Sequence, residues 1–243
     1  MYAVAMHELV QLQAVGKRYG AIDVLADVDL TLRAGEVIGL IGPNGGGKST
    51  LLLLMAGLIR PTHGTVHIDG VHAHETAVAR KGSVGLITAD AGVYPLLTGW
   101  ENLIFFGGLF GVSPSQTRTH ASSMVDELQL NAAMNRKTGT WSSGMKQKLS
   151  LVRARLLEPK LLLLDEPTAN LDPIATDIIY RTVRREADEG LAVVLVTHDL
   201  TAAQTTCDRV AIIEGGIRHV EPISADLGSR HLLDLYDTHT VAR

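Results

Sequence analysis

Cysteine is all but missing from this chain, in which Cys207 stands alone. One thiol cannot close an internal disulfide, so packing must hold the fold, as suits a reducing compartment. Aromatic side chains are scarce, at 4% of residues, which leaves Leu, Val, Ile and Ala to build the core. Charge of one sign does not dominate: 22 Lys and Arg face 26 Asp and Glu, a net charge of -4. A general nucleic-acid binder carries a basic excess or stripe, and the sequence has neither. Long apolar runs are lacking too. The longest, residues 51–59 and 103–112, fall short of the ~20 residues that a spanning helix needs. Residues 1–20 have no basic start followed by a long apolar stretch, because His7 and Glu8 interrupt it, so no secretory leader is expected.

What remains is a globular composition. The 243 residues are 46% hydrophobic and 20% charged, which excludes a disordered chain and suits one large unit or a core with a subdomain. Residues 36–41 (EVIGLI) read as a buried parallel strand, as do 160–165 (KLLLLD) and 192–197 (AVVLVT). Residues 65–69 alternate between glycines and read as a strand of a half-exposed antiparallel sheet; residues 84–88 form another short strand. Between them, residues 49–56 look helical and stop at Gly57. Residues 174–189 form an amphipathic helix with Ile174, Ile178, Ile179 and Val183 on one side. Gly215-Gly216 marks a two-residue hairpin between strands 209–214 and 217–220. Strands alternating with helices imply a parallel sheet covered on both faces. Residues 94–150 differ: they hold every Phe and Trp of the chain (Trp100, Phe105, Phe106, Phe110 and Trp141) and read as a helical subdomain inserted into the sheet domain.

Residues 42–49, Gly-Pro-Asn-Gly-Gly-Gly-Lys-Ser, fit G-x-x-x-x-G-K-[ST] between an apolar strand and a helix. Glycines let backbone N–H groups surround phosphate oxygens, and the helix aims its positive end at the same anion. Lys48 reaches the β- and γ-phosphates, the Ser49 hydroxyl ligates Mg²⁺, and Thr50 adds a phosphate contact. Asp165 and Glu166 end the LLLL strand, where open parallel sheets bind ligands. Asp165 is placed to hold Mg²⁺ through its water shell, and Glu166 to orient or deprotonate the attacking water. His198 ends the next apolar strand and can bond the γ-phosphate or hold Glu166. His63, His67, His72 and His74 cluster, but His67 lies on the polar side of its strand and no carboxylate–histidine spacing recurs, so no metal is expected there.

These pieces, in this order, resemble the nucleotide-binding subunit of ATP-binding-cassette (ABC) transporters over nearly the whole chain. Tyr19, in KRYGA, falls where the family stacks an aromatic on adenine. Gly42, Pro43, Asn44, Gly45, Gly46, Gly47, Lys48, Ser49 and Thr50 form the Walker A loop, with Gly46 where alanine is usual. Trp141, Ser142, Ser143, Gly144 and Met145 stand at the signature position, normally LSGGQ. Residues 161–168 are Walker B with the catalytic glutamate, residues 169–172 the D-loop, and His198 the switch histidine. The form SSGMKQKLS resembles the subgroup that drives sodium-exporter-like, heme-exporter-like and drug- or polymer-exporting permeases.

The resemblance implies a P-loop NTPase (RecA-like) α/β fold, with a parallel sheet core, an N-terminal antiparallel β subdomain and the inserted helical subdomain. The cassette would span residues 8–220, with 221–243 as a short C-terminal extension. It implies Mg²⁺-dependent ATP hydrolysis with Lys48, Glu166 and His198 catalytic and Ser49 and Asp165 on the metal. Ser142, Ser143, Gly144 and Met145 would complete the site of a second ATPase subunit, identical or related. It also implies a separate transmembrane permease, no nucleic acid, and a cytoplasmic place on the inner face of the membrane. Among the aromatics near Tyr94, most are expected in the subdomain core, with Tyr94, Leu96, Leu97 and Trp100 as partner contacts. One position departs from the family: the usual glutamine after the strand 84–88 is replaced by Ala89, with Thr88 and Asp90 offering oxygens beside it. Two other readings remain open on sequence alone, a nucleic-acid- or ribosome-associated ABC ATPase and a non-hydrolysing ATP clamp.

Overall fold

A computed structural model describes residues 8–75, 82–169, 171–224 and 229–240. Among these, four strands form an antiparallel sheet in the order β2-β1-β4-β5: β1 (Glu8–Tyr19), β2 (Ile22–Arg33), β4 (His63–Ile68) and β5 (Val71–His72). The second sheet has the order β10-β9-β3-β8-β7-β6. Its strands are β3 (Val37–Ile41), β6 (Val84–Ile87), β7 (Leu161–Asp165), β8 (Ala192–Val196), β9 (Arg209–Ile213) and β10 (Ile217–Pro222). All pairs are parallel except β9 with β10.

The period of two along the apolar strands explains the layering. In β7, Leu162 and Leu164 face one cluster while Leu161 and Leu163 face the other. β8 does the same, with Val193 and Leu195 opposite Val194 and Val196. One cluster joins the sheet to the helical subdomain, and the other joins it to the antiparallel sheet and α1 (Lys48–Met55). Apart from Asp165 at the end of β7, these strands are buried because both faces are covered.

The helical region comprises α2 (Gly99–Leu109), α3 (Pro114–Glu127) and α4 (Ser143–Arg155). α2 and α3 each start with a full capping box, Thr98 with Glu101 and Ser113 with Gln116. Further helices are α5 (Pro173–Asp188), α6 (Leu200–Thr206) and α7 (Ser229–Thr240). α7 packs on the core through buried Leu232.

Three local expectations change. Ile174 does not share the apolar stripe of α5: it is 75% exposed at the first turn, while Ala175, Ile179, Tyr180 and Val183 face inward. Pro173 and Ile174 enter the helix before its stripe meets the sheet. The β9–β10 loop has three residues, not two, since Ile213 pairs with Ile217. Gly215 there takes φ +67, a left-handed conformation open to glycine. Finally, most aromatics near Tyr94 are not core. Tyr94, Phe105 and Phe110 are each more than two-fifths exposed. α2 buries Gly99, Asn102, Leu103 and Gly107, a face that leaves residues 105 and 109 pointing outward; Trp141 alone among the Phe and Trp residues is fully buried.

Candidate active site

Three chain segments meet at the carboxyl ends of β3, β7 and β8. The first is the turn from β3 into α1. Gly47 caps α1 at φ +101, and a Cβ there would lie 2.5 Å from Leu25. A Cβ on Gly42 would lie 2.1 Å from the Ile213 carbonyl oxygen of β9. The β9–β10 loop therefore braces the phosphate loop, and the Gly215 N–H also donates to the Gly46 carbonyl at 3.0 Å. The sequence signal for this brace was limited to the Gly-Gly pair, which says nothing of its neighbour.

Lys48 is buried, and its Nζ donates to the carbonyls of Gly42 and Pro43 at 2.8 and 2.9 Å. Burial holds its ammonium below the usual lysine value, while the Glu166 and Asp165 carboxylates pull it back. Ser49 is exposed in the first turn of α1, and Thr50 is half-buried beside it. Asn44 and Gly45 are exposed on the loop, and Pro43 is half-buried.

Asp165 closes β7 and Glu166 follows at φ +49, a left-handed conformation for a residue with a side chain. Its N–H donates to Val196 of β8 at 3.1 Å. His198 Nε2 lies 2.8 Å from Glu166 Oε1, so two residues named separately from sequence form one pair. Behind them, Thr168, Tyr180 and Thr197 share hydroxyl contacts that sequence reasoning missed.

The signature segment is a helix start. Ser142 caps α4, its Oγ accepting from the Met145 N–H at 3.2 Å. Ser142 and Ser143 are exposed, Gly144 is buried and Met145 half-buried. A Cβ on Gly144 would lie 3.0 Å from Ala175, so α4 starts against the start of α5, where Asp172 is the cap. Of the D-loop, Asn170 lies outside the described residues. This tip is not in contact with the phosphate loop of the same chain in any bond described. Tyr19 ends β1 at 47% exposure, with the Lys17 ammonium 5.0 Å over its ring.

The segment after β6 is fastened to α4. The Gln147 amide donates to the Thr88 carbonyl at 3.0 Å, and Arg153 donates to Gly92 O at 2.6 Å while lying 4.5 Å over Phe106. The Thr88 hydroxyl donates to the Asp90 carbonyl, and the Asp90 carboxylate accepts from the Gly92 N–H. Both oxygens offered beside Ala89 thus help to close this turn. Asn102 staples residue 94: its side chain accepts from the Tyr94 N–H and donates to its carbonyl. Leu96 is 77% exposed; Leu97 and Trp100 are half-buried. Next to this segment, a cavity of about 460 Å³ runs between Leu58, Leu86, Phe106 and Phe110. Elsewhere, the His67 and His72 rings lie tilted against each other with centroids 4.2 Å apart, His74 lies next to His72, and His63 lies 3.6 Å from Asp27.

A glycine-rich loop at a helix start, carboxylates at one strand end and a histidine at the next define a P-loop nucleotide hydrolase. The profile of a family described as ABC transporter matches residues 25–169, and this chain belongs to that family. The linearmycin resistance ATP-binding protein LnrL of Bacillus subtilis (strain 168) is 32% identical over 91% of this chain and 71% of its own. Nod factor export ATP-binding protein I of Rhizobium johnstonii is 33% identical over 87% of this chain and 68% of its own. The dimeric ATP-binding cassette MJ0796, solved in a post-hydrolysis state with ADP and Pi, superposes with a TM-score of 0.79 at 29% identity. It covers 89% of this chain and 99% of its own. The chain is thus an ATP-binding, ATP-hydrolysing subunit of an ABC transporter, built on the expected α/β cassette fold.

Proposed function

We propose that this subunit clasps ATP between its own phosphate loop and the Ser142–Met145 helix tip of a second ATPase subunit, and that hydrolysis there powers export through a separate membrane permease. The observation that carries the reading is the 2.8 Å contact of His198 with Glu166, set beside a lysine that feels both nearby carboxylates. Glu166 is the group that takes or orients the proton of the attacking water, and His198 holds it and reports the γ-phosphate. Lys48, with its Nζ now on two carbonyls, turns to phosphate oxygens, while Tyr19 receives the adenine on its ring.

Mg²⁺ fits the donor set, because the Ser49 hydroxyl and the Asp165 carboxylate are hard oxygen ligands at the mouth of the loop. When bound, the ion neutralises charge on the phosphates and fixes their orientation. No step needs nucleic acid, and the net charge of -4 gives no general attraction to it. Among the described residues, no helix is long and apolar enough to cross a membrane, so the membrane path is assigned to the permease. The subunit is accordingly assigned to the cytoplasmic side of the membrane, with Tyr94 and Leu96 as permease contacts. The cassette is taken as residues 8–220 with its helical insertion at about 94–150, and 221–243 as an extension on it. Export rests on names borne by relatives, among them Nod factor export proteins.

Glu166→Gln keeps the size of the side chain and removes the base. It is expected to bind Mg-ATP, to lower phosphate release at least about 100-fold, and to elute as an ATP-dependent dimer in size-exclusion chromatography. Full turnover by this variant, or a monomer at saturating Mg-ATP, rules the scheme out.

A further inference from the structure

Behind the Glu166–His198 pair lies a side chain that the reaction as described does not use. Tyr180, two turns into α5, is buried at 7% exposure and packs in the core on the helical side of the sheet. Burial disfavours its phenolate and pushes the ionisation upward, so the hydroxyl keeps its proton. That oxygen sits 2.8 Å from Thr168 Oγ1 and 3.3 Å from Thr197 Oγ1. Thr168 lies two residues after Glu166, and Thr197 directly precedes His198. One phenol therefore touches both loops that carry the pair. Thr197 Oγ1 also accepts from the Asp199 N–H at 3.0 Å, which carries the bonded chain across the His198 backbone.

The conformation of Glu166 gives this bridge a task. A left-handed φ of +49 is unfavourable for a residue with a Cβ and persists only where the surroundings over-determine it. The bond from the Glu166 N–H to Val196 O fixes one side of the turn, and that from the Ala169 N–H to Glu166 O closes it. The far side, at Thr168, is tied to the end of β8 through Tyr180. A tyrosine suits the position because packing fixes its ring and its hydroxyl can donate to one threonine while accepting from another.

We propose that Tyr180 is a positioning residue for ATP hydrolysis: its hydroxyl sets the spacing between the turn of Glu166 and the end of β8, and so the 2.8 Å approach of Glu166 to His198. It acts through the pair and does not touch nucleotide. The inference rests on the reading of Glu166 as the group that prepares the attacking water.

Tyr180→Phe keeps the ring and removes the bridge. In steady-state phosphate release by the full chain, kcat is expected to fall about tenfold with KM for ATP unchanged. Thr168→Val cuts the bridge from the other end and reads the same effect should the first variant be unstable. The double variant is expected to lose no more than the worse single one. Glu166→Gln in the same assay separates two failures. Full turnover by Glu166→Gln overturns the reading of Glu166 and this inference with it. Loss in Glu166→Gln beside a wild-type kcat in Tyr180→Phe overturns the positioning role alone, as does a loss confined to KM or one that multiplies in the double variant.

Discussion

Single residues set hard limits here through space and charge. Gly42 is the clearest: a side chain there would collide with the Ile213 carbonyl, a backbone atom in the adjoining strand. Gly42→Ala is expected to cost about 2–3 kcal/mol of stability, because the strand cannot yield as a flexible side chain would. Thermal unfolding measures the loss, and titration with a fluorescent ATP analogue should show weakened binding in the same variant. Cys207 is the second case. Burial pushes its thiol up to about 12 from an ordinary value of 9.0. The unfolded thiol gives up its proton near pH 9 while the folded one keeps it, so this contribution is intact below about pH 9 and lost as pH rises toward 12. Urea unfolding midpoints should fall from pH 8 to pH 10.5, and fall less in Cys207→Ala. A thiol reagent at pH 8 should label Cys207 only after denaturant is added.

At the scale of elements, the end of α4 is locked to α5 by charge. Glu186, 5% exposed, pairs with Arg155 of α4 and with Arg185, and Arg185 reaches Glu127 at the end of α3. Glu186→Ala leaves Arg155 without its buried partner and is expected to cost about 2–3 kcal/mol. Urea denaturation checks the value, and an unchanged midpoint counts against the lock. None of this was legible in the sequence, where Glu127, Arg155 and Glu186 are ordinary charged residues of three separate helices. The strands were legible because an unbroken run such as LLLLD admits few readings once both sheet faces are covered. The helix α2 was not, since it is apolar almost all round and periodicity could not choose its inner face. Asn102 decided that choice by binding Tyr94, a contact eight residues away. At the candidate active site, glycine spacing and strand ends single out Lys48, Ser49, Asp165, Glu166 and His198. Tyr180 escaped because a tyrosine on the inner stripe of a helix reads as core, and its hydroxyl partners come from two distant loops.

The whole molecule binds these elements through one sheet in which sequence order and spatial order differ. β3, which leads into the phosphate loop, has β8 on one side and β9 on the other. Its register joins Ile38 to Val194 and to Arg209. The loop itself leans on Ile213 and Gly215. Every residue of the glycine cradle thus precedes the β9 wall that braces it. A nascent polypeptide that has emerged only as far as β8 therefore holds the whole motif without the β9 carbonyl and the turn amide that brace it. Assembly of the cradle is in this way tied to the whole sheet and not to the short stretch of sequence that spells it.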